Sequence, residues 1–183
     1  AALAFGGDTG TTTAVTELYN GSSWTEVNDL NTARLLYTGN AGSQTAALAF
    51  GGASPSFTGA TETWNGTNWT EVNDLSTTGA RTGVGTNTAA LAFGGFNPGG
   101  LIADTETWNG TNWTEVNNLN TAKDQRGGAG IQTSALAFGG GPATAATESW
   151  NGTNWTTVNS MNTARYALAA GGTSTLAIAF GGG

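Results

Sequence analysis

Short apolar strings recur along the chain between polar stretches rich in Gly, Asn and Thr. The most regular ends in Phe-Gly-Gly, with Phe5, Phe50, Phe93, Phe138 and Phe180 spaced 45, 43, 45 and 42 residues apart. An alternating string further along each unit carries Trp24, Trp69, Trp113 and Trp155, spaced 45, 44 and 42 residues apart. One unit is therefore about 44 residues, and self-similarity at such a period implies one supersecondary element repeated and stacked. Each unit holds four short segments bounded by Gly, Asn, Thr or Ser, and none carries a 3.6-residue period. All four read as strands.

The second unit shows the assignment. A Gly-rich segment after Arg34, "LLYTGNAGS", is strand A; "AALAFGG" from Ala46 is strand B; "TETW" from Thr61 is strand C; and "NWTEV" from Asn68 is strand D. Asn65-Gly66 between C and D is a strong hairpin signal, because both residues tolerate positive φ, and Asn20-Gly21, Asn109-Gly110 and Asn151-Gly152 repeat it. A two-residue turn there would pair Trp64 with Thr67 and Glu62 with Trp69. A four-residue loop would set Trp64 opposite Trp69 and Glu62 opposite Glu71. The first register is expected, since directly opposed carboxylates repel. Strand A is crowded with small residues (Gly39, Gly42, Gly83, Gly85, Gly127, Gly128, Gly130, Ala169, Ala170), as expected where strands converge on a narrow axis.

The order "LAFGG", variable loop, "TETWNGTNW", "TEVNDLNTAR" and Gly-rich strand resembles the kelch repeat over essentially the whole chain. That family is marked by a Gly-Gly doublet closing the second strand, an aromatic on the third and a Trp opening the fourth. Here the third-strand aromatic is Trp64, Trp108 or Trp150, with Tyr19 in the first copy, and the C to D connection is shorter than the family's usual one. The resemblance implies an all-β, kelch-like β-propeller of four-stranded antiparallel blades in a single domain, residues 1–183. Its repeats fall at approximately 1–33, 34–78, 79–122, 123–163 and a partial 164–183. Five B strands against four each of A, C and D suggest four blades plus an extra strand, a section of a larger ring, or blades shared between chains. The chain's beginning inside a strand favours the last two. Kelch propellers are mostly binding platforms and only occasionally oxidases, so the fold leaves activity open. Near-identical repeats of this Asn/Thr/Trp-rich style are also similar to those of predicted structural proteins of marine phages and bacteria.

Composition then removes chemistries. Cys and His are both absent, which takes away disulfides, thiolate metal sites, the commonest general base and the commonest metal ligand. The copper constellation of His, Tyr and Cys that a kelch-type oxidase uses has neither His nor Cys here. Five basic residues against twelve acidic give a net charge of −7, which disfavours nucleic acid and anionic membranes. No apolar run is long enough to span a bilayer, and the opening "AALAFGG" lacks the basic start and cleavage site of a signal peptide. Gly-Gly doublets open no helix and so are poor phosphate cradles. Asp8 and Asp104 are the best loop oxygens for Ca²⁺, without the spacing of a known calcium loop. No enzyme activity and no cofactor are expected. Asn-X-Thr/Ser triplets at Asn20, Asn65, Asn68, Asn109, Asn112, Asn151 and Asn154 lie in the expected hairpins, which argues against a eukaryotic secretory route.

Two groups of residues remain. The repeated set comprises Trp24, Trp64, Trp69, Trp108, Trp113, Trp150 and Trp155, with one Glu per strand C (Glu17, Glu62, Glu106, Glu148) and one cation near each strand A (Arg34, Arg81, Lys123 or Arg126, Arg165). The indoles are expected to fill the seams between sheets, the alternative being repeated sugar-stacking sites, and each Arg to pair with a carboxylate of its own or the next blade. The varied set lies on B to C and D to A loops, which share one rim: Tyr37, Phe57, Phe96, Asn97, Leu101 and Ile102 are the candidate partner-binding residues, or else caps on a blade. The expectation is a non-catalytic structural or protein-interaction module of a phage virion, extracellular appendage or cell surface, with a protein partner or self-assembly. The alternative is a lectin-like propeller with a glycan in rim or inter-blade sites.

Overall fold

A computed structural model describes residues 1–35 and 39–183; the candidate Tyr37 lies outside the described residues. The first sheet is β1 (Ala2–Asp8), β2 (Thr12–Tyr19) and β3 (Trp24–Val27). The second begins with β4 (Gly39–Ser43) and β5 (Ala46–Phe50), is interrupted by a small hairpin of β6 (Ala53–Ser54) and β7 (Ser56–Phe57), and ends with β8 (Thr61–Trp64) and β9 (Trp69–Val72). The third is β10 (Ala80–Gly85), β11 (Ala90–Asn97), β12 (Gly100–Trp108) and β13 (Trp113–Val116). The fourth is β14 (Gly127–Ile131), β15 (Ser134–Phe138), β16 (Thr147–Trp150) and β17 (Trp155–Val158), and a pair, β18 (Ala169–Gly172) and β19 (Ala177–Phe180), follows. Every pairing is antiparallel between strands adjacent in their sheet, and no helix occurs among the described residues. The protein is all-β, with three four-stranded antiparallel sheets flanked by a three-stranded and a two-stranded one.

Strand B is apolar on both faces because neighbours cover both. Leu48, Ala49 and Phe50, like Leu91, Ala92 and Phe93, are wholly buried. The Phe ring also explains the glycines of strand A. A Cβ built on Gly39, which pairs with Phe50, would overlap the Phe50 ring, and so would a Cβ on Gly83 of the next sheet. Phe93 crowds Gly128 in the same manner. The small residues thus make room for one phenyl ring held between two sheets, a more local cause than convergence on an axis. Strands β4, β10, β14 and β18 pack side by side in that order, and Gly39, Asn40, Thr82, Gly83, Gly128 and Ala170 line a shared cavity of about 350 Å³.

The C to D hairpin has the register that sequence reasoning rejected. Trp64 lies opposite Trp69 and Glu62 opposite Glu71, with the same pattern at Trp108–Trp113, Trp150–Trp155 and Tyr19–Trp24. The loop is four residues long because Asn65 organises it: its Oδ1 accepts the backbone N–H groups of Thr67 and Asn68, and its own N–H donates to Asn68 O. The carboxylate repulsion that argued otherwise is relieved, since Glu62 is buried against a cation while Glu71 stays exposed. Gly66 sits at φ +93° in this loop, where an L side chain is strained. Gly66→Ala is therefore expected to cost about 1 kcal/mol, read as a lowered midpoint in urea.

A second difference concerns the B to C connection. The stretch "FNPGGLIAD" is largely strand: β11 and β12 continue past a bulge between Phe93 and Gly95, pairing Phe96 with Leu101 and Asn97 with Gly100 around Pro98-Gly99. Much of "DTGTTTAV" is likewise strand, at the end of β1 and the start of β2.

Candidate functional site

The repeated side chains meet at the joints between consecutive sheets. On strand C, Trp64, Trp108 and Trp150 are buried, each donating its indole N–H to a carbonyl of the A to B turn in its own sheet: Gln44 O at 3.1 Å, Asn87 O at 3.0 Å and Gln132 O at 2.9 Å. On strand D, the indoles of Trp69, Trp113 and Trp155 reach into the preceding sheet. They donate to the hydroxyls of Thr16, Thr61 and Thr105 at 3.1, 3.0 and 3.0 Å. Their rings meet Phe5, Phe50 and Phe93 edge-on, with centroids 4.8, 4.8 and 5.1 Å apart. Thr61→Val would leave the buried Trp113 N–H without an acceptor. The expected loss is about 1–3 kcal/mol of unfolding free energy, measured by urea denaturation.

Each strand C Glu is a hub. Glu62 pairs with Arg34 of its own unit, both side chains wholly buried, while its oxygens also accept the Asn31 backbone N–H (2.7 Å), Asn31 Nδ2 (2.9 Å) and the Thr32 N–H (3.2 Å). Asn31 and Thr32 belong to the loop leaving the preceding sheet, so one carboxylate ties two sheets. Glu106 repeats this with Ser76 N–H, Thr77 N–H and Arg81, the ion pair at 3.7 Å, and Glu148 with Asn120 and Arg126, the ion pair at 3.3 Å. The third cation is Arg126, and Lys123 makes no such pair among the described residues. Burial pushes the Arg81 guanidinium below its ordinary pKa, against the pull of Glu106, Asp104 and Glu115, and it does the same to Arg126 against Glu148. Desolvation thus exceeds the carboxylate's attraction at both, and the anion is what makes a buried cation tolerable.

Three further contacts had no place in the sequence reading, although "TEVN" followed by Asp or Asn signals them. Asn28, Asn73 and Asn117 donate through Nδ2 to the next unit's hairpin, at Thr67 O, Thr111 O and Thr153 O, and to Asn68, Asn112 and Asn154 Oδ1. Asp29, Asp74 and Asn118 accept the backbone N–H groups of Thr16, Thr61 and Thr105. The second Gly of the doublets donates forward across the joint: Gly7 to Arg34 O, Gly52 to Gly79 O, Gly95 to Lys123 O and Gly140 to Arg165 O.

Three members of the repeated set stand apart. Trp24 is 49% exposed, where Trp69, Trp113 and Trp155 are 5–7% exposed, and its ring meets Tyr19 of its own sheet. Glu17 is exposed and Arg165 half-buried, and neither has an ion-pair partner among the described residues. Arg165 donates from Nη1 to Gly181 O, while its buried Nε has no acceptor. The expected fourth charge pair is therefore not formed. Phe138, which has no Trp, packs instead on Leu168 and Ala170.

The rim candidates divide. Phe57 and Phe96 stack edge-on at 5.7 Å across neighbouring sheets, and Phe96 and Leu101 are each 39% exposed. They open onto a groove of about 250 Å³ whose other wall is Gln125, Pro142, Ala143 and Tyr166. Tyr166 is 41% exposed and was not anticipated, since nothing in its own repeat marks it. Asn97 turns its Oδ1 onto the Gly99 N–H, and Ile102 is half-buried, so these two shape the hairpin. Among the described residues no group of three acidic side chains is placed to hold a metal ion. No protein-family model matches the chain, and no curated protein matches it.

Proposed function

We propose that the chain is a section of a kelch-like β-propeller serving as a non-catalytic structural or protein-interaction module of a virion, an extracellular appendage or a cell surface. The row of strands β4, β10, β14 and β18, packed side by side and lining a common cavity, supports the propeller reading. The observation that carries the functional reading is that the repeated Trp, Glu and Arg, outside the two ends, are consumed in joints between sheets. A sugar platform needs an open ring face, and the six indoles from Trp64 to Trp155 are at most 7% exposed. The rim groove beside Phe96, Leu101 and Tyr166 is a concave surface that offers apolar area to a protein partner.

Gold-labelled antibody against the chain, imaged on native particles and thin sections of the source, tests the assignment. Label on particle, appendage or cell surfaces is expected; label confined to the cell interior overturns it. A glycan array showing several equivalent sugar sites per chain would replace it with the lectin reading.

A further inference from the structure

Departures from the repeat gather on one rim, where the third and fourth units meet. The loop at the first joint runs Asn31, Thr32, Ala33, Arg34, whereas the loop at the third runs Asn120, Thr121, Ala122 and then Lys123, Asp124 and Gln125 before Arg126. The Glu148 hub is built from Asn120 and Arg126, so the side chains of the three inserted residues have no part in it. Asp124 and Gln125 instead line the groove that Phe96 and Leu101 bound from the third sheet and Pro142 and Ala143 from the fourth unit. Gln125 takes φ +50°, which L side chains rarely adopt, and donates from Nε2 to Asp124 Oδ2 at 3.1 Å. Gly141 makes room for the carboxylate, since a Cβ built there would stand 2.6 Å from Asp124 Oδ1. Among the described residues Asp124 has no ion-pair partner: Arg126 is held by Glu148, and Lys123 makes no pair. The groove thus joins a half-buried, unpaired carboxylate to apolar walls, with Phe96 and Leu101 each 39% exposed. The third and fourth sheets each have neighbours on both sides, β10 lying between β4 and β14, and β14 between β10 and β18.

We propose, resting on the reading of this rim as a partner-binding surface, that the groove takes an arginine side chain from a basic segment of a protein partner. Its methylenes lie along Phe96 and Leu101, and its guanidinium reaches Asp124. An apolar wall that ends in an anionic acceptor suits a side chain with an apolar stem and a cationic tip. Arg fits better than Lys, because the flat guanidinium is weakly hydrated, can face a carboxylate with two N–H groups and lies favourably against an aromatic ring. The bond from Gln125 leaves Asp124 with acceptor capacity, since an ionised carboxylate offers about four lone-pair sites. The charge of the whole chain points the same way. Three of its five cations are spent on buried Glu, so in a molecule of net charge −7 the outward-facing charges are mostly carboxylates. Such a surface draws a basic segment and repels an acidic one.

Fluorescence anisotropy of a short fluorescein-labelled peptide of alternating Arg and Gly tests this, in about 0.15 M salt, where exposed charges more than a Debye length apart are screened. The unmutated chain is expected to bind the peptide, and Asp124→Asn to bind it roughly tenfold more weakly, as for loss of one member of a partly buried interfacial charge pair. Glu26→Gln removes the same charge from an exposed site and should stay within about twofold of the unmutated chain. Leu101→Ser, which trims the apolar wall, should weaken binding roughly threefold. A Lys-Gly peptide should bind less tightly than the Arg-Gly one. None of the three side chains is buried, so each variant should keep the near-ultraviolet circular dichroism of the folded chain. No binding at millimolar peptide overturns the proposal, as do equal losses for Asp124→Asn and Glu26→Gln or a Lys-Gly peptide that binds as tightly. Absence of binding together with surface label from the gold antibody would remove this site and leave the structural reading standing. Label confined to the cell interior would overturn that reading without altering the peptide result.

Discussion

Replacing Glu62 by Ala is expected to lower the unfolding free energy by about 3–5 kcal/mol, the range for breaking a buried ion pair from one side. The reason is that four donors converge on this carboxylate: the Arg34 guanidinium, the Asn31 and Thr32 backbone N–H groups and Asn31 Nδ2. The variant strands a wholly buried cation and frees the loop that enters from the preceding sheet. Urea denaturation followed by tryptophan fluorescence checks it. Glu17→Ala is the control, and its midpoint should match the unmutated chain, since Glu17 is exposed and holds no loop. Equal stability of both variants with the parent would reject the hub.

The second large effect is expected at Trp108. Its ring has no exposed surface, packs 5.3 Å from Trp113 and donates to Asn87 O, so Trp108→Ala should cost about 3–5 kcal/mol through lost burial and the cavity left behind. Trp24→Ala should scarcely change the stability of the chain, since half of that ring already faces water. Thermal or urea unfolding of the two variants side by side separates the roles, and a Trp24 variant as unstable as the Trp108 one would contradict the asymmetry between ends.

Much of the fold was legible because the signals are local and repeated. The four strands of a unit follow from their apolar alternation and from the Asn-Gly turns, and the Arg to Glu pairing, formed at three of the four Glu-bearing strands, follows from scarcity in a chain with five cations. The hairpin register was not legible, because two answers differing by one pair put the same side chains on the same face. Asn65 decided it through backbone N–H groups that no side-chain pattern displays. The Asn28, Asn73 and Asn117 clamps were missed for a related reason: a polar residue after strand D reads as an ordinary loop until its partner in the next unit is in place. At the rim, sequence variability pointed to Phe57, Phe96 and Leu101 but could not find Tyr166, which reaches the groove from a later unit.

The joints described above use the same residues each time, and each connects only a unit to its immediate neighbour. Duplicating one coding unit of about 44 residues would therefore insert a module whose two couplings are already complete, and deleting one would bring together halves that still match. Size in such a protein is a quantity that recombination between near-identical stretches can raise or lower in whole steps, with no new contact to be invented.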